Sequence, residues 1–280
     1  EAAIISNFFT IRPEDFHSVI PKLVAKEGVK VKAGETVFYD KSNEAVKFAS
    51  PVSGEVTEIA RGEKRRILSI KIQADKEQLY QDFGSLNVDN ASADEVKSKL
   101  LTAGCWPFIK QRPYDVIANP DKVPKAIFIS GYASAPLAAD LDFTLQGKEA
   151  ELQAAISALG KLTEGRVHIS VGKNANSPLA NLSDAAIHKV SGPHPSGNVG
   201  TLINKIDPVN KGEVVWTVNA QDLVIIGELL LTGKFNAERI VALAGSSVQK
   251  PRYFTTKLGS EVATMIYDNG IEKDANVRII

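Results

Sequence analysis

One cysteine, Cys105, is all the chain contains. A lone thiol forms no intramolecular disulfide and cannot carry an iron–sulfur cluster, which takes several thiolates. The four histidines, His17, His168, His188 and His194, are scattered without metal-ligand spacing. Net charge is absent too, since 33 basic residues offset 33 acidic ones. No Lys/Arg block is offered to nucleic acid or to anionic lipid. The longest apolar run, Leu223–Leu231, is broken by Gly227 and Glu228, whereas a spanning helix needs roughly 20 apolar residues. Contact with a bilayer is therefore expected only through a partner. The chain opens on Glu1 without a signal peptide, and a fragment trimmed at one or both ends is expected.

What is present suits a globular protein of about two domains: 280 residues with 44% apolar content. Up to about residue 74 the pattern is of short strands. Val29 and Val31 alternate with lysines, Val37–Tyr39 and Val46–Phe48 follow, and Ile67–Ile72 alternates cleanly. Two half-motifs, Glu27-Gly28-Val29-x-Val31-x-x-Gly34 and Ser50-Pro51-Val52-Ser53-Gly54-Glu55-Val56, resemble each other. Together they resemble the flattened barrel of biotinyl/lipoyl carrier domains, in which a hairpin lysine is modified. Lys41 stands near that place and is read here as a solvated hairpin lysine; a carrier protein bearing a group on Lys41 is the competing reading.

Ser92-x-x-Glu95 forms a capping box for a helix closed by Gly104. The proline-bearing run Cys105–Asp115 reads as a loop, with Lys110, Arg112 and Tyr114 as candidate docking residues. From Ala126 a strand, the helix Lys148–Thr163 (with Gly165 as its cap) and the strand Arg166–Val171 imply a parallel βαβ unit. Its ligand-bearing ends are the loops from Gly131, Gly172 and Ser191. The first two lack the glycine spacing, or the Gly-Lys-Ser/Thr ending, that cradles phosphate. The stretch Gly192–Gly200 carries two prolines around His194, reads as a stiff irregular loop that cannot be helix, and is taken to lead directly into the apolar strand Val214–Val218. Asn219 then caps a helix ending at Gly233, with Asp222 placed to favour the dipole. Arg239–Ala244 reads as a further strand, Val262–Ile266 as a short helix, and Val277–Ile280 as strand-like.

The run Pro193–Thr201, with Val215-Trp216, Asn219-x-Gln221-Asp222, Gly227, Thr232-Gly233, Glu238–Gly245, Leu162–Gly165 and Ser50–Gly54, resembles the alpha-subunit family of bacterial sodium-translocating NADH:quinone oxidoreductases. The resemblance runs in order along nearly the whole chain. It implies a multi-domain α/β protein: a biotinyl/lipoyl-like barrel-sandwich in residues 1–78, a linker, helix and aromatic loop in 79–124, a Rossmann-like parallel core without a nucleotide fingerprint in 125–248, and the truncated start of a β-grasp-like domain in 249–280. It also implies a peripheral subunit on the cytoplasmic face of the bacterial inner membrane, docked on membrane subunits. The complex oxidises NADH, reduces quinone and moves Na+, with flavins and iron–sulfur centres in other subunits.

Wider relatives, the RnfC protein of Rnf-type complexes and the flavin-bearing chain of complex I, carry a glycine-rich flavin loop where this chain has Cys105–Asp115. The expectation is therefore a chain with no redox cofactor, no metal and no catalytic residue of its own. His194, with Trp106 and Phe108 as apolar walls, would meet a quinone head. A flavin- or NADH-binding dehydrogenase subunit is the alternative.

Overall fold

The computed structural model describes residues 2–3, 6–173, 176–267, 271 and 276–279. Strand β1 (Ala2–Ala3) precedes seven strands of the N-terminal domain: β2 (Phe8–Ile11), β3 (Pro21–Leu23), β4 (Lys30–Val31), β5 (Thr36–Asp40), β6 (Asn43–Ala49), β7 (Gly54–Arg61) and β8 (Ile67–Ala74). They form two sheets, ordered β2-β8-β7-β4 and β3-β5-β6. Val37, Phe38, Val56, Ile70 and Ile72 are all fully buried, and each such side chain contributes about 1.5–3 kcal/mol of transfer free energy. The rings of Phe38 and Phe48 stack with centroids 4.2 Å apart.

The Ser50–Gly54 motif has a packing role here. Ser50 Oγ donates to the Val52 carbonyl, Ser53 Oγ accepts the Leu79 amide, and both serines are buried. A Cβ on Gly54 would lie 2.0 Å from the Gln73 carbonyl oxygen, so only glycine lets β7 approach β8 there. Lys41 is exposed in the β5–β6 turn, as expected of a hairpin lysine.

Helix α1 (Ala93–Thr102) begins with both bonds of its capping box, Glu95 N–H to Ser92 Oγ and Ser92 N–H to the Glu95 carboxylate. Gly104 closes it at φ +72°, where an added Cβ would meet Ala49 of β6 at 2.8 Å. The run Cys105–Asp115 departs from the expected loop. Trp106–Phe108 is a 3-10 turn, Ile109–Arg112 is strand β9, and β10 (Val116–Ile117) returns antiparallel to it. The prolines do not prevent this. Pro107 lies in the first turn, where no amide donor is needed, and Pro113 follows the last residue of the strand.

The remaining elements of the middle region are β11 (Ile127–Ser130), α2 (Leu141–Thr144), α3 (Glu149–Gly160), β12 (Val167–Gly172), β13 (Ala185–Val190), α4 (Val199–Ile206), β14 (Val215–Val218) and α5 (Ala220–Thr232). One six-stranded sheet orders the strands β10-β9-β14-β11-β12-β13, with β14, β11, β12 and β13 mutually parallel and β9 antiparallel to β14. Helices α3 and α5 pack together so closely that a Cβ on Gly227 would lie 1.8 Å from the Glu151 carbonyl oxygen. Helix α4 covers Phe128 and Val215 with Leu202 and Ile203. Gly165 does not cap α3, which ends at Gly160; its role is to clear the Lys125 carbonyl oxygen, 2.0 Å from a built Cβ.

Helix α4 corrects the expectation for Gly192–Gly200. Its last two residues are helical, and a helix stands between this stretch and the apolar strand. Beyond α5, strand β15 (Glu238–Leu243) leaves the central sheet and pairs antiparallel with β16 (Arg252–Lys257), which β1 joins in parallel. Helix α6 (Ala263–Tyr267) matches the expected short helix. No strand forms at residues 277–279, and Ile280, like Asn174 and Ala175 of the Gly172 loop, lies outside the described residues.

Candidate functional site

Strand β9 borders two concavities. Along it, Ile109 and Gln111 are buried on one side while Lys110 and Arg112 are half-buried on the other, as strand alternation requires. One concavity is a seam shared by the barrel-sandwich, the central sheet and the β15–β16 unit. This seam cavity is about 350 Å³, with Phe16, Phe48, Pro107, Phe108, Phe235 and Leu258 as apolar lining. The rings of Phe108 and Phe235 lie nearly parallel, 9° apart, at 6.2 Å between centroids. The other is a cavity of about 670 Å³ at the carboxyl end of β14, bordered by the first turn of α4 and by Asn219. Phe108, Lys110 and Asp222 line both.

Electrostatics along β9 follow from burial. Asp222, in the first turn of α5, is bonded to Arg239 of β15. Burial raises its carboxyl above the usual range, with Arg239 and Lys110 opposing that rise. The pair ties α5 to β15, a tertiary role beyond the dipole effect expected from sequence. Burial lowers the Lys110 ammonium, with Asp115 and Asp222 partly offsetting it. The Lys110 ammonium sits 5.3 Å from the Phe16 ring centroid and forms no ion pair among the described residues. Burial also pushes the Cys105 thiol up, which leaves it a core side chain.

The structure separates the residues that sequence grouped. Trp106 lines neither cavity: it is fully buried, its indole N–H donates to the Ala118 carbonyl at 2.7 Å, and its ring meets Trp216 edge-on. His194 is exposed, 3.3 Å from Ser134 Oγ, and lines neither cavity. Phe108 alone of the three reaches a cavity, and it reaches both. Of the docking candidates, Tyr114 is 78% exposed. Lys110 and Arg112 line cavities, with Arg112 3.4 Å from Asp115.

Of the lining residues Asn198, Gly200 and Thr217, the first two lie in the stretch singled out from sequence, though not as a helix start, and Thr217 is not singled out. Asn198 as a cap, followed by Val199, Leu202, Ile203 and Ile206 at helical spacing, is a usable signal for α4. For Thr217 there is none, because only its strand partner brings it to the cavity. Among the described residues no cluster of three or more His, Cys, Asp or Glu is arranged to hold a metal ion. No helix among them is long and apolar enough to cross a membrane.

Three family models match the chain in order: the NqrA N-terminal barrel-sandwich hybrid domain over residues 2–75, the NqrA second alpha/beta domain over 91–235, and the NQRA C-terminal domain over 240–280. Among curated proteins, the NqrA chain of the Na(+)-translocating NADH-quinone reductase of Neisseria meningitidis serogroup A is 36% identical over 266 residues, covering 94% of this chain and 60% of that protein. Its counterpart from Marinomonas sp. is 33% identical over 279 residues, covering 99% of this chain and 62% of its own. The chain thus spans about 60% of the length of the relatives it matches. A solved NAD+-reducing [NiFe]-hydrogenase aligns with a TM-score of 0.44 at 12% identity, over 70% of this chain and 45% of that one, a likeness too weak to argue from.

Proposed function

The chain belongs to the NqrA family of Na(+)-translocating NADH-quinone reductases, and from that premise we propose that it is a peripheral subunit of a sodium-pumping NADH:quinone oxidoreductase that helps form the quinone site. On this reading the chain docks against membrane subunits on the cytoplasmic face of the membrane. NADH oxidation, flavins, iron–sulfur centres and the Na+ path belong to other subunits, and this chain holds no redox cofactor. Its central sheet acts as a Rossmann-like scaffold, and the β15–β16 unit as the start of a grasp-like one.

One observation carries the proposal, the aromatic seam. A quinone head needs apolar walls and a donor for its carbonyl oxygen. Phe16, Phe48, Phe108 and Phe235 supply the walls, and Lys110 is a cation on the same lining. Phe108 keeps the role expected of it from sequence, and Lys110 takes the donor role assigned there to His194.

The test is photolabelling of the assembled complex with a short-chain photoreactive quinone. Label on the peptides carrying Phe16, Phe108 or Phe235, reduced by Lys110→Gln, is the expected result. Label confined to the membrane subunits overturns direct quinone contact by this chain.

A further inference from the structure

The cavity at the carboxyl end of β14 shares Phe108, Lys110 and Asp222 with the seam, but its Arg112, Thr217 and α4 lining plays no part in the reading above. Some of its lining donors, unlike Ser130 and Thr201, have no protein acceptor. Lys110 and Arg112 project from alternate positions of β9 into it. Thr217 stands directly opposite Lys110 in the β14–β9 ladder, lines the cavity, and is 7% exposed. Its hydroxyl has no hydrogen-bond partner among the described residues. A polar group on a residue more than nine-tenths buried is normally satisfied by protein or water.

Across from these groups begins the eight-residue helix α4. Its cap residue, Asn198, makes no side-chain capping bond. Among the described residues the amides of Val199 and Gly200 find no acceptor, while Thr201 and Leu202 bond back to the Asn198 carbonyl. These are the orphan donors at the positive end of a helix. The Arg112 guanidinium reaches that same turn: a Cβ on Gly200 would lie 3.5 Å from Arg112 Nη2. A cation held against a helix N-terminus is unfavourable on its own, and an anion between them reverses the sign. The nearby acids do not supply it. Asp222 is engaged by Arg239, and Asp115, 3.4 Å from Arg112 Nη1 with its side chain 62% exposed, does not line the cavity.

We propose that this cavity binds the phosphoryl group of a small soluble phosphorylated molecule, held by Arg112, Lys110, the Thr217 hydroxyl and the α4 amides of Val199 and Gly200. A tetrahedral phosphoryl group presents several acceptor oxygens at once, which matches a guanidinium fork, an ammonium, a hydroxyl and two amides better than a carboxylate's two oxygens do. The cavity, about 670 Å³, leaves room for the group that carries the phosphate.

Calorimetric titration of the purified chain with inorganic phosphate and with pyrophosphate tests this. Saturable one-to-one binding is expected. Arg112→Gln and Thr217→Val should each weaken it about tenfold or more, the loss of one bond to a charged group. Lys205→Gln, exposed in the last turn of α4, should leave it unchanged. Thr217→Val is nearly isosteric and removes a hydroxyl with no protein partner, so it should keep the fold; circular dichroism checks each variant. Absence of saturable binding for both ligands overturns the proposal. So does unchanged affinity in folded Arg112→Gln and Thr217→Val, or retention only on phosphatidic acid vesicles. None of these outcomes depends on whether quinone labels the seam.

Discussion

In residues 105–115 two prolines bracket one aromatic ring and two cations; in residues 192–200 two prolines bracket a histidine. By composition both resemble rigid surface loops. In the structure the first becomes a 3-10 turn and a strand of the central sheet, with Cys105, Trp106, Pro107 and Ile109 buried. The second keeps Pro193, His194 and Pro195 exposed, and only its end enters a helix. Proline content does not separate them. What does is whether the prolines interrupt a ladder, and whether apolar side chains stand between them to reward burial. Pro107 and Pro113 flank β9 and leave its amides free to pair with β14. Between Pro193 and Pro195 there is only a histidine.

The largest expected difference is in stability. Trp106→Ala should cost about 3–5 kcal/mol, the usual loss for a fully buried large side chain. His194→Ala, exposed and holding one bond to Ser134, should stay within about 0.5 kcal/mol. Urea unfolding of the two variants measures both, and comparable losses would dissolve the contrast.

Thiol chemistry sharpens it further. Burial raises the Cys105 thiol and removes it from solvent. Its alkylation by iodoacetamide should be at least about a hundredfold slower than that of a Cys105→Ala, His194→Cys double variant, because it waits for opening of the core. Equal labelling rates would mean that the β9 region opens as readily as the proline loop.

The smallest effect concerns Lys110, the half-buried cation of the first stretch. Its folded value lies below that of an ordinary lysine, so the unfolded chain holds the proton more tightly. Stability is therefore reduced at neutral pH, and the cost fades as pH rises through the depressed value toward the ordinary lysine range. Lys110→Met should gain a few tenths to about 1 kcal/mol at neutral pH, allowing for solvent screening. The gain should shrink on approaching about pH 10. A gain that is constant with pH would point to packing alone.

Much of the architecture can be read locally. The Ser92–Glu95 box, the Asn219 cap and the left-handed Gly233 each act within one helical turn, and all three stand where the sequence puts them. The α/β alternation from Ala126 is likewise legible, because strand and helix periods differ. Helix α4 is legible in principle, but Pro193, Pro195 and Gly197 ahead of it suggest continued irregularity. The candidate sites are largely hidden. Phe108, Lys110 and Arg112 stand out as residue types, yet their places on the cavity linings depend on β9 pairing with a strand about a hundred residues later.

The sequence by itself determined where α1 and α5 start and stop, which faces are apolar, and which family the chain resembles, since caps, periodicity and motif order are properties of neighbouring residues. Only the tertiary structure decided that Trp106 is core, that Thr217 faces Lys110, that Arg112 meets the first turn of α4, and that Asp222 is bonded to Arg239. Those are long-range juxtapositions, fixed by strand order and by the burial that rewards it, and no local pattern encodes them.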